Sequence, residues 1–172
     1  MELYRLGIKL FAAPGETMEL TEFIPIFHEW IQKQIIPNHL LIDVHNYSHM
    51  QDGPGILLVG HQGNFNIDKS DRMGLFYYRK QPVDTQAGLI KPALEACNLL
   101  EKDPKVHGRL RFRTDDMLII ANDRLLAPNN HETFLQFQPQ LSSALNEVLG
   151  KAFKLSRISD DPRERLTIRA QA

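Results

Sequence analysis

Between Asp43 and Lys80 the chain gathers the side chains best suited to chemistry: Asp43, His45, Tyr47, His49, His61 and Asp68, then Tyr77, Tyr78, Arg79 and Lys80. An imidazole titrates near neutrality and a carboxylate can fix its tautomer, so His61 with Asp43 or Asp68 would suit general acid and base work. His49 is the fourth candidate of this catalytic group. Spacing limits a metal reading. His45 and His49 lie four residues apart, which on a strand separates them by about 13 Å, and no HExxH-type pattern occurs. No metal or other cofactor is expected. A hydrolase-like or metal-dependent enzyme would need His49, His61 and Asp68 drawn together by loops that fold back.

Anion recognition is the second chemistry. Arg109, Arg111 and Arg113 alternate with Leu110 and Phe112, which on a strand would put three guanidinium groups on one face. Their planar forks suit carboxylate and phosphate. Arg79 and Lys80 on a neighbouring strand would complete a patch, with Tyr47 and Asn122 as further ligand-binding candidates. The glycines of Gly53-Pro54-Gly55 and of Gly60 to Gly63 match no phosphate-binding fingerprint and read as turns. Cys97 falls on an apolar helical stripe and reads as core.

The elements that must position these residues are legible in outline. A strand near residues 7–13 precedes a helix carrying Leu20, Phe23, Ile24, Phe27, Trp30 and Ile31 at helical spacing, with Pro25 in its first turn. Residues 40–47 and 55–61 form an antiparallel hairpin, followed by short strands at 65–67 and 74–80. A second helix covers 89–102 with Pro92 in its first turn, and strands at 109–114 and 117–122 flank Asp115-Asp116 as a turn. A third helix starts near Asn129, with Glu132 completing a capping box, and Pro139 kinks or divides it. Strands at the end of the chain surround Asp160-Asp161-Pro162. From the first helix through residue 150, the order helix, three strands, helix, two strands, helix resembles that of small secretion-chaperone-like domains. That resemblance rests on element order alone and implies a dimeric, partner-binding role.

The whole chain, 1–172, is expected to form one α+β domain: a two-layer sandwich with a mostly antiparallel sheet of about seven strands and three helices. Gly7 and Gly74 open similar strands, and Pro25 and Pro92 follow them at the same offset, as in a diverged βαββ duplication. ILLVG and MLIIA are apolar at every position but one terminal glycine, as in strands shielded on both faces. Three helices are too few to cover both sides of such a sheet. The second face is therefore expected to meet another copy of the chain or to hold an apolar pocket.

Composition bounds the function. At 42% hydrophobic and 24% charged residues the chain is neither disordered nor fibrous. Twenty basic and 21 acidic side chains give a net charge of -1, too little overall field to draw nucleic acid or an anionic membrane. A single cysteine makes no internal disulfide, and no apolar run is long enough to span a bilayer, so the expected location is the cytoplasm. The expected function is that of a non-catalytic binding or interaction protein, homodimeric, recognising a polar or anionic small molecule or a partner protein. The enzyme using His49, His61 and Asp68 is the alternative.

Overall fold

A computed structural model describes residues 5–172. Eight strands form one antiparallel sheet in the order β2-β3-β4-β5-β1-β6-β8-β7. They are β1 (Leu6–Ala12), β2 (Leu41–Tyr47), β3 (Gly55–Gly60), β4 (Gly63–Asp68), β5 (Gly74–Arg79), β6 (Phe112–Ala121), β7 (Lys154–Arg157) and β8 (Thr167–Gln171). Three α-helices complete the fold: α1 (Phe23–Lys33), α2 (Ala87–Lys102) and α3 (His131–Leu149). No described helix is long and apolar enough to cross a membrane.

Strand alternation decides which residues the helices cover. Ile8, Ile56, Leu58, Phe65, Leu75, Tyr77, Met117, Ile119 and Ile168 share one face and merge with Phe27, Trp30, Leu100 and Leu141 of the helices in a single core. Leu57, Val59, Phe76, Tyr78, Leu118 and Ile120 point to the other face, where no described helix lies, and are only half-buried. The two apolar strands are thus covered by helices on one side only. Leu58 is fully buried under the helices, and its neighbour Leu57 is the outward-facing residue.

Several elements differ from the sequence reading for identifiable reasons. Asp115-Asp116 is no turn: β6 runs straight through it, because Arg113 binds both carboxylates of the pair and Arg169 binds Asp116 at 2.7 Å. β6 is therefore the one strand between α2 and α3, and β2 to β5 separate α1 from α2, so the element order departs from that of the chaperone-like domains. Pro92 is the sixth residue of α2, because the helix begins at Ala87. Asn130, not Asn129, caps α3, accepting from the N–H of Thr133, and the helix continues through Pro139. Asn129 instead donates to Ser159 O and Asp161 O, fastening the loop before β8.

Helix α1 ends at Gln34 in the left-handed conformation, at φ 47°. Its side chain then meets β2 as a neighbouring strand would, donating to Leu41 O and accepting from Leu41 N–H, both at 2.9 Å. That bidentate contact blocks the start of the edge strand, where an open row of backbone groups would invite pairing with another chain.

Candidate functional site

Across the open face, antiparallel register aligns side chains in rows. One row runs Tyr47, Gly55, Asp68, Gly74 and Phe11, and the next runs His45, Leu57, Asn66, Phe76, Lys9, Leu118 and Arg169. Glycines on both sides of Asp68 leave a hollow of about 370 Å³. Neither glycine tolerates a side chain: a Cβ on Gly74 would stand 2.5 Å from Leu10 O, and Gly55 has φ +67° with its Cβ position 2.0 Å from Ile67 O.

Lys9 leans through that gap. Its ammonium group donates to Asp68 Oδ1 at 2.7 Å and to Ser70 O at 2.8 Å. Asp68 also accepts from Asn66 Nδ2 at 2.8 Å and from the Ser70 N–H at 3.1 Å. Lys9, Asn66 and Asp68 are only 5–7% exposed although no described helix covers them. Phe76, Leu118 and Ile120 wall the hollow, while Asp52, Asp71 and Arg165 add charge around it. Phe11 also lines the hollow, and Arg72 stacks its guanidinium 3.7 Å from the centre of that ring. The paired charges of Lys9 and Asp68 make the floor of the hollow electrically neutral.

The residues suggested for acid and base chemistry do not converge. Asp68 is engaged by Lys9. Asp43 lies 3.7 Å from His45, on the exposed edge strand. A register shift between Leu41 and Asp43 sets Leu41 opposite Gly60, which leaves His61 at the exposed β3–β4 turn with its backbone N–H bonded to Leu40 O. His49 is exposed in the β2–β3 loop. No cluster of three or more potential metal ligands occurs among the described residues.

The arginine stripe does not assemble either, because the strand begins only at Phe112. Arg109 pairs with Glu22 at 2.9 Å and binds two carbonyls, Arg113 is held by Asp115 and Asp116, and Arg111 is exposed. Arg79 sits beside Leu6 at one end of β1, whereas Arg113 lies by Ala12 at the other, about 20 Å away by strand rise. Lys80 donates to Gly60 O, and Asn122 accepts from Arg165. Tyr47 stays on the open face beside His45. Cys97 is core, its thiol pushed well up by burial and by the nearby Glu101 carboxylate.

No protein-family model matches the chain, and no curated protein or solved structure matches it.

Two buried polar groups, Lys9 and His39, stand outside the residues that the sequence singles out. Lys9 interrupts an otherwise apolar strand, and a charge at the centre of a sheet requires a buried partner. His39, just after Pro37, is 8% exposed and accepts at Nε2 from the Tyr77 hydroxyl at 2.7 Å, its Nδ1–H donating to Pro37 O. Nothing in its sequence neighbourhood marks it.

Proposed function

We propose that the chain is a non-catalytic binding protein that works as a homodimer, two copies meeting through the uncovered faces of their sheets. Supporting this is the band of half-buried apolar residues, Leu57, Val59, Phe76, Tyr78, Leu118 and Ile120, that the helices leave open. An uncovered face that carries six half-buried apolar side chains suits an interaction site. The observation that carries the reading is the uneven charge on either side of the band. Asp43 lies on β2 at one edge of the sheet, whereas Lys154 lies on β7 at the opposite edge. A two-fold axis lying between the sheets and parallel to the strands sets each copy's acidic flank over its partner's basic flank. The apolar bands meet between them, as in sheet-on-sheet packing.

Pairing of this kind encloses the hollow over Lys9 and Asp68, which then suits a polar small molecule rather than an anion, since its floor is neutral and Asp52 and Asp71 outnumber Arg165. The enzyme alternative has less support, because His49, His61 and Asp68 occupy three separate environments. Sedimentation equilibrium tests the reading. The wild-type chain should sediment at twice 19.8 kDa, and Leu57→Lys or Leu118→Arg should yield monomers with an unchanged far-UV circular dichroism spectrum. A monomeric wild-type chain, or a dimer indifferent to both substitutions, overturns it.

A further inference from the structure

On the helix-covered side, the end of β5 and the start of α2 enclose a second cavity of about 370 Å³, lined among others by His39, Arg79, Asp84, Thr85, Lys91 and Pro92. We infer that this cavity binds a small oxyanion, the phosphate or carboxylate group of a small molecule, with Arg79 as its anchor and Lys91 as a second cation.

Arg79 is held in place before any ligand arrives. Its Nε–H donates to Gln81 O at 3.1 Å and one Nη1–H to the Tyr77 hydroxyl at 3.3 Å. Tyr77 passes its own proton donation to His39 Nε2, and His39 Nδ1–H ends the chain on Pro37 O. Each member of that relay has a fixed direction. Tyr77 is fully buried and His39 nearly so, which immobilises the guanidinium plane. Two of the five guanidinium N–H groups are engaged in these bonds, and the remaining three have no protein acceptor among the described residues. A pre-oriented fork with free donors in a concave, partly apolar site is suited to bidentate oxyanion recognition.

The charge balance agrees. Lys91 has its nearest carboxylate, Glu147, at 4.0 Å, the outer limit of an ion pair. Asp84 is the one carboxylate lining the cavity, and it pairs with neither Arg79 nor Lys91 among the described residues. Burial holds the His39 pKa below its ordinary value, so the ring adds no positive charge near neutrality. Two cations face one anion, which favours a ligand with a single anionic group and disfavours a polyanion. Pro37, Pro82 and Val83 supply an apolar wall for its body.

Amide and arginine Nε–H resonances followed by NMR at constant ionic strength test the site, with inorganic phosphate and acetate as separate probes and chloride as control. Saturable shifts at Arg79, Thr85 and Gly88 are expected. Phosphate alone identifies a phosphorylated ligand, acetate alone a carboxylate, and both an undiscriminating oxyanion site, each outcome supporting the proposal. Arg79→Gln should weaken binding about tenfold or more, as loss of a charge-assisted pair does. Lys91→Gln, on the exposed side of α2, should weaken it several-fold without touching the relay, which keeps the test valid if Arg79→Gln misfolds. Shifts that chloride reproduces, or that survive both substitutions, overturn the proposal.

Discussion

At the residue scale, the unusual features are buried polar groups on the helix side of the sheet. Gln86 precedes α2 with its side chain 2% exposed, and neither of its amide atoms has a hydrogen-bond partner among the described residues. An unmet buried amide costs about 1–3 kcal/mol. Gln86→Met, which keeps the shape and removes the amide, should therefore stabilise the chain by up to that amount and raise the urea midpoint; a lower midpoint would reveal a partner for the amide in solution. His39 makes a pH-dependent contribution. Burial lowers its pKa from 6.5 in the folded chain, so the unfolded chain takes up the proton first as pH falls. The contribution is complete above about pH 6.5 and is lost as pH drops toward the folded value. Urea unfolding between pH 7.5 and 5 should show this slope, and His39→Asn should flatten it. Neither residue was legible in the sequence, because burial of a polar side chain is set by neighbours distant in the chain. His39 needs Tyr77, 38 positions away.

At the element scale, local pattern proved informative where apolar alternation and turn residues agreed. The β2–β3 hairpin, with Tyr47 opposite Gly55, and the final strand pair lie where composition places them. β6 was misread for a physical reason. Two adjacent aspartates look like a turn until three arginines from separate segments, Arg72, Arg113 and Arg169, surround Asp116. Those ion pairs let a carboxylate only 3% exposed occupy mid-strand. Hydrogen bonding from Arg169 holds the Asp116 pKa below 3.8, so its contribution is present above that value and is lost as pH falls through the folded one. Asp116→Asn should destabilise the chain by about 1.5–3 kcal/mol at neutral pH. Hydrogen exchange should speed first in β6 and β8 amides, and uniform acceleration across the sheet would refute a local role.

At the scale of the whole molecule, the sequence announced that the sheet carries more apolar surface than three helices cover, yet not which face stays open. That depended on register: whether Leu57 or Leu58 points outward follows from Val44 pairing with Leu58 and Asn46 with Ile56. The open face in turn defines how two copies can meet. With the two-fold axis parallel to the strands, Asp43 lies over the partner's basic flank. With the axis across the strands, β2 lies over the partner's β2 and Asp43 approaches its own copy. Charge substitutions separate the two arrangements. In the first, Asp43→Lys and Lys154→Glu each weaken association several-fold at low ionic strength, and the double variant recovers it. In the second, Asp43→Lys alone relieves repulsion or leaves association unchanged. Exposed pairs contribute about 0–1 kcal/mol each, so the differences should fade toward about 1 M salt as screening shortens to about 3 Å. Recovery in the double variant is a signature that instability of the single chain cannot produce, because Asp43 and Lys154 lie on opposite edge strands of one sheet and never meet within a copy.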